Sequence, residues 1–122
     1  MTILEAISKA DEFRNNRIEA AVKIAMLSEL DGRIYAEVIE GTNAFEGYNE
    51  STPMDTELIV PYPYDALYIS YLESEICRIS GEMSKYAIAR SIFAEKYESF
   101  KAWYIRSHEY NKPNIKIPVR RY

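Results

Sequence analysis

Residues 82–108 read EMSKYAIARSIFAEKYESFKAWYIRSH, and this stretch decides the fold. Tyr86, Ala89, Phe93, Tyr97, Phe100 and Tyr104 follow one another by three, four, four, three and four residues. That is a nearly heptad stripe dominated by aromatic rings, and it predicts one long amphipathic helix. At 1.5 Å per residue the helix is roughly 40 Å long. Lys85, Arg90, Glu95, Lys96, Glu98 and Lys101 lie between the stripe residues and are expected on the wet face. Such a helix needs partners for its apolar side, and the rest of the chain supplies them.

Immediately upstream, Ser80-Gly81 makes a short joint. A short joint between helices implies antiparallel neighbours. The helix before it is expected over 64–79, with Leu67, Tyr68, Tyr71, Leu72, Ile76 and Ile79 on one broad face. Pro63 suits the first turn, where its missing N–H costs nothing, and Asp65 is favoured there by the helix dipole. Pro61 and Pro63 bracket Tyr62 and end the short apolar run Glu57-Leu-Ile-Val60, which reads as extended.

At the other end of the chain, Thr2-Ile-Leu-Glu5 is a capping box. A helix follows, with Ile3, Ala6, Ile7, Ala10 and Phe13 on one face, and Asn15-Asn16 stops it. Asn16 reads as the cap of the next helix, with Glu19 three residues on. From Ile18 to about Ile39 the apolar positions are Ile18, Val22, Ala25, Leu27, Leu30, Ile34 and Val38. Asp31-Gly32 interrupts them with two poor helix formers, so a bend, a break or a close helix approach is expected there. Gly41 is the expected stop. Residues 42–56 have no steady period and carry the turn formers Gly47, Asn49, Ser51, Thr52 and Pro53. Loops this long are often functional. At the C-terminus, Lys112-Pro-Asn-Ile-Lys-Ile-Pro-Val119 alternates Ile115, Ile117 and Val119 with other residues between two prolines. That period of two predicts an extended tail, and the prolines restrict it to an edge strand. Such a strand either adds to another chain's sheet or folds back along its own helices.

The fold class is therefore all-α: a single four-helix bundle-like domain over 1–110, with a long central loop and an extended C-terminal arm over 111–122. The length of 122 residues suits one domain, and 48% hydrophobic and 28% charged residues are ordinary for a globular protein. The net charge of −4 argues against a protein that grips nucleic acid from outside. Arg120-Arg121 is the one compact basic pair, too small for a phosphate-binding surface. Eleven tyrosines stand out, and they suit either half-buried helix faces or subunit contacts. No signal peptide or membrane-spanning run is visible.

Reactive chemistry is sparse. Cys77 is the only cysteine and His108 the only histidine, on different expected helices, so no disulfide, metal set or nucleophile–base pair is indicated. Cys77, next to Ile76, reads as a buried inert thiol. The acidic pairs Glu29/Asp31 and Asp55/Glu57 read as surface charge or caps. Asp31-Gly32-Arg33 reads as a helix break with an exposed ion pair. None of the glycines lies in a phosphate-loop context. No catalytic residue, metal or cofactor is expected, and the chain reads as a protein that works by binding other proteins.

Three stretches together resemble a known family. They are Ser28-Glu-Leu-Asp-Gly-Arg-Ile-Tyr35, Asp55-Thr-Glu-Leu-Ile-Val-Pro-Tyr-Pro-Tyr-Asp-Ala-Leu-Tyr-Ile-Ser-Tyr-Leu72 and Phe100-Lys-Ala-Trp-Tyr-Ile-Arg106. In that order and spacing they look like the small head–tail connector (adaptor) proteins of tailed phages and prophages of Gram-positive bacteria. The resemblance runs from Thr2 to about His108 and rests on core and turn residues, not on catalytic signatures. It departs from the family pattern at Cys77-Arg-Ile-Ser-Gly81, where polar or aromatic residues are more usual.

The resemblance implies a helical virion protein at the head–tail junction, present in the host cytoplasm before assembly. Such proteins form a ring, commonly of twelve subunits, beneath the portal protein, and bridge it to the next neck or tail protein. DNA passes through the lumen without sequence-specific binding, and no membrane is involved. Loops and termini of such proteins reach neighbouring subunits or the portal. Here residues 41–56 and 113–122 would be those arms, with Phe45, Tyr48, Ile115, Ile117, Val119, Arg120, Arg121 and Tyr122 in partner or self-association contacts. The other reading of the same residues is a small cytoplasmic helical interaction module, such as a regulator or antitoxin-like partner. An enzyme ranks third.

Overall fold

The structure is a computed structural model that describes residues 1–110. It is all-α, as the sequence predicts: α1 (Ile3–Phe13), α2 (Ala20–Ile34), α3 (Leu67–Ile79) and α4 (Met83–Tyr110). One π turn, Tyr35–Ile39, prolongs α2, and one 3-10 turn, Tyr64–Ala66, leads into α3. Among the described residues there is no strand, only an isolated antiparallel bridge between Thr2 and Glu57. No described helix is long and apolar enough to cross a membrane.

The start of α1 shows how the loop and the helices are tied together. The first backbone N–H groups of a helix have no partner within it. Here the Thr2 N–H donates to the Glu5 carboxylate at 2.9 Å and the Glu5 N–H to the Thr2 hydroxyl at 3.1 Å, the predicted capping box. The N–H groups of Ile3 and Leu4 donate to the carbonyls of Thr56 and Met54, and the Leu58 N–H returns to the Met1 carbonyl. All four orphan donors are thus satisfied, two of them by the far end of the long loop. Ile3, Ala6, Ile7 and Ala10 are buried, whereas Phe13 lies past the last covered turn and is 65% exposed.

Two expectations for the next segment are corrected. Asn16 does not cap α2; Glu19 holds that position, without a side-chain bond. The Asn16 amide instead donates to Asp11 and to the Arg14 carbonyl and accepts from the Ile18 N–H, which shapes the α1–α2 turn. Nor does α2 break at Asp31-Gly32. The Asp31 side chain turns inward to fixed partners, and Gly32 lets the Phe45 ring lie close, 3.6 Å from where a Cβ would stand. The irregularity falls at the π turn instead, which ends on Glu40 in the left-handed region (φ 56°). A side chain at Gly41, one residue later, would meet the tip of the Tyr35 ring and force it to move.

The hairpin of α3 and α4 is closed by a Schellman motif. Gly81 takes φ 78°, its N–H donates to the Arg78 carbonyl, and the Glu82 N–H donates to the Cys77 carbonyl. The two helices pack antiparallel through the aromatic stripe. Phe93 lies 5.1 Å from Tyr71 between ring centres, and Trp103 stacks on Tyr64 at 5.1 Å. Ala89, Phe93, Tyr97 and Phe100 are buried. They face a core that includes Leu27, Leu30, Ile34, Leu67, Tyr68 and Leu72. Arg90, expected on the wet face, is drawn inward. Its guanidinium covers the Tyr71, Tyr86 and Phe93 rings and donates to Glu75 at 2.6 Å. Ile79, expected on the packed face, is 47% exposed at the hairpin tip. Among the described tyrosines, Tyr68, Tyr71 and Tyr97 are buried, Tyr35, Tyr48, Tyr64, Tyr86 and Tyr104 are half-buried, and Tyr62 is exposed.

Candidate functional site

The most organised polar cluster centres on Asp31, which is fully buried. Leu27 and Ile34 flank it four residues before and three after on the buried side of α2, so the helix carries the carboxylate into the core. One oxygen accepts from the Tyr68 hydroxyl at 2.5 Å. The other accepts from the Tyr48 hydroxyl at 2.6 Å and from the Ile59 N–H at 3.1 Å. Tyr68 in turn accepts from the Val60 N–H at 2.9 Å. One carboxylate therefore joins α2, α3, the long loop at Tyr48 and the segment after it at Ile59.

The electrostatics follow from burial. Loss of solvent pushes the Asp31 carboxyl above its ordinary range, against the three hydrogen bonds that pull it down. Burial, and then the neighbouring carboxylate, hold Tyr48 and Tyr68 well above the usual phenol range. Both phenols thus stay protonated and act as donors. Asp31 is thus a clasp between α2, Tyr48, Ile59 and Tyr68 of α3.

A second buried acid, Glu75, is neutralised from both sides. Arg78 of the same helix reaches one oxygen at 2.8 Å and Arg90 of α4 the other at 2.6 Å. Lys23 is buried as well, with its ammonium 2.8 Å from Asp11. Cys77 is buried in the last turn of α3, beside the hairpin joint. His108 stacks on Tyr104 near the far end of α4, about 39 Å along the helix from the joint at 1.5 Å per residue. The single thiol and the single imidazole therefore do not meet. Among the described residues, no three His, Cys, Asp or Glu side chains gather as metal ligands would.

Phe45 and Tyr48, expected as association residues, are half-buried against their own subunit. Phe45 lies between Tyr35 and Tyr48, at 5.7 and 5.6 Å between ring centres. The Tyr48 N–H donates to the Ser28 hydroxyl at 2.9 Å, and Gly47 (φ 78°) sits where a Cβ would press on that hydroxyl. Through Phe45, Gly47 and Tyr48 the loop 41–56 is laid along α2. Ile115, Ile117, Val119, Arg120, Arg121 and Tyr122 lie outside the described residues.

Shallow depressions lie on the surface of the described residues. One, of about 450 Å³, runs between α2 and the loop, lined by Ala21, Ala25, Tyr48, Asn49, Glu50 and Ser51. Another, of about 200 Å³, lies between the 3-10 turn and α4. Exposed apolar side chains cluster on the hairpin: Ile79 and Met83 at its tip, Ile88 and Ile92 along α4. No family model, curated protein or solved structure matches the chain.

The Asp31–Tyr48–Tyr68 clasp is what reading the sequence missed. A signal was present: Asp31 shares a helix face with Leu27 and Ile34, a position that water does not reach.

Proposed function

We propose that the chain is a structural subunit of a phage or prophage neck, a head–tail connector that assembles as a ring beneath the portal and bridges it to the next neck or tail protein. One observation carries the reading. The three stretches that resemble connector proteins are far apart in sequence, yet they form one contiguous unit. Asp31 of the first binds Ile59 and Tyr68 of the second, and Tyr64 of the second stacks on Trp103 of the third. The shared residues are thus a joint core that presents surfaces, in keeping with a part that is assembled.

The charge balance suits the role. An acidic wall repels DNA phosphates and lets a genome slide past without sticking. Phe45 and Tyr48 set the shape of the loop surface that a neighbour or the portal would meet, and residues 115–122 supply a second contact. The working form is an assembly and needs neither cofactor nor metal. Alone, the protein is mainly monomeric or weakly associated.

Neighbouring genes give the cheapest test: capsid, portal and tail genes beside this one support the reading, and a toxin or repressor gene there counts against it. Gel filtration gives the biochemical test. Mixing with the portal protein encoded nearby moves this chain to the large-complex fraction; an unchanged elution of both proteins overturns the proposal.

A further inference from the structure

We propose that residues 42–53 form a strap that opens from α2 as one unit, with Tyr48 as its latch and the ionisation of Asp31 as its control. The device belongs to the free chain and does not depend on the connector reading.

Both ends of the strap are pinned by backbone bonds. At one end the Gly41 N–H donates to the Tyr35 carbonyl, directly after Glu40 in the left-handed region. At the other end the carbonyls of Met54 and Thr56 accept from the N–H groups of Leu4 and Ile3. Between these hinges the hold is thin. Of residues 42–53, Phe45, Gly47, Tyr48 and Thr52 are half-buried and the rest are exposed. Thr52 belongs to a turn closed on itself: its N–H donates to the Asn49 carbonyl at 3.0 Å, and its hydroxyl accepts from the Asn49 N–H at 2.9 Å. Phe45 meets Tyr48 edge-on at 5.6 Å, so the two rings travel together. A segment with few buried apolar contacts between fixed ends opens locally, at a cost far below global unfolding.

Tyr48 holds the middle. Its N–H donates to the Ser28 hydroxyl at 2.9 Å and its own hydroxyl to Asp31 at 2.6 Å. The depression between α2 and residues 49–51 runs up to the same ring, so water stands beside the latch. When Tyr48 swings away, Ser28 and Gly32 are bared as well. They continue the row of Ala21 and Ala25 at spacings of three and four along one side of α2.

Asp31 lies behind the latch and is fully buried. Three groups face it: the Tyr48 phenol from the loop, the Tyr68 phenol from α3 and the Ile59 N–H. On its own helix, Arg33 lies over the Tyr97 ring and Glu29 acts on Tyr71. Among the described residues, no charged side chain of α1, α3 or α4 acts on Asp31. Burial therefore resists the ionised carboxylate, and no cation offsets it. With the strap open, water reaches the carboxylate and that resistance falls. Ionisation thus favours the open strap and protonation the closed one. The opening constant is lowest in acid. It rises by at most about tenfold per pH unit between the open-state and closed-state values of Asp31, and is level above them.

Hydrogen exchange of the full chain tests this, read segment by segment from about pH 4 to about pH 8 and divided by the intrinsic rates of an unstructured chain. The proposal expects the opening of residues 42–53 to rise at least about fivefold over that range while α3 and α4 change little. Asp31→Asn loses the rise. Tyr48→Phe, which keeps the ring, opens the strap several-fold more at every pH and retains the rise. Wild-type opening that is constant with pH overturns the proposal. So does an equal rise in α3, which would mean that the whole domain opens, or an undiminished rise in Asp31→Asn. The comparison of loop with helices within the wild-type chain needs no variant.

Discussion

The α3–α4 hairpin and the loop laid along α2 are both well fastened, by opposite means. The hairpin seam distributes its hold over two sets of touching rings, Tyr71–Phe93–Tyr97 and Tyr64–Phe100–Trp103. Arg90 lies across three rings and ties Glu75 to the same seam. The loop hangs on few points, chiefly Asp31, with Ser28 and the backbone of α1's first turn. A distributed apolar contact degrades gradually when one member is trimmed. A buried carboxylate with three donors leaves all three unsatisfied when it is lost.

The largest effect is expected at the centre of the seam. Phe100→Ala removes a ring that is almost fully buried and should cost about 4 kcal/mol, read by urea denaturation. The unfolding should stay one cooperative transition. Next, Asp31→Ala should cost about 3 kcal/mol, because two buried hydroxyls and a backbone N–H lose their acceptor. Its signature differs from that of Phe100→Ala: hydrogen exchange should quicken over residues 45–60 before it does in α3 and α4. Equal quickening everywhere would erase the contrast between the two regions. Tyr48→Phe keeps the ring and removes one of three donors, so about 1 kcal/mol is expected, confined to the loop.

The smallest effect is in pH. The Asp31 carboxyl titrates higher in the folded state than in the unfolded chain. Its contribution is therefore fully present below the ordinary carboxylate range and is lost as pH rises through the folded value. The stability of wild type relative to Asp31→Asn should thus fall between pH 3 and neutrality. A difference that grows with pH would contradict the burial argument.

The regular part of this fold was legible because period and punctuation coincide. The stripe from Tyr86 to Tyr104, the Ser80-Gly81 joint and the Thr2/Glu5 box each name their own geometry, and each is found. What was not legible depends on partners remote in sequence. Asp31-Gly32 is a helix breaker by propensity, yet Tyr48, Ile59 and Tyr68 make Asp31 a core residue, and Phe45 uses the space that Gly32 leaves. Arg90 looked solvated until the rings of Tyr71 and Tyr86 and the buried Glu75 surrounded it. The attachment of the loop to α2 was not readable because its fastenings are single hydrogen bonds to other elements, which leave no period behind. At the candidate contacts, the alternation of Ile115, Ile117 and Val119 was readable, but the groove between Ala25 and Glu50 exists only once the loop is in place.

Native mass spectrometry of the portal mixed with this chain tests the central claim most directly. The connector account predicts a portal complex heavier by about twelve copies of a 14.2 kDa subunit, with free chain beside it at low mass. A portal peak of unchanged mass across a range of mixing ratios would contradict it.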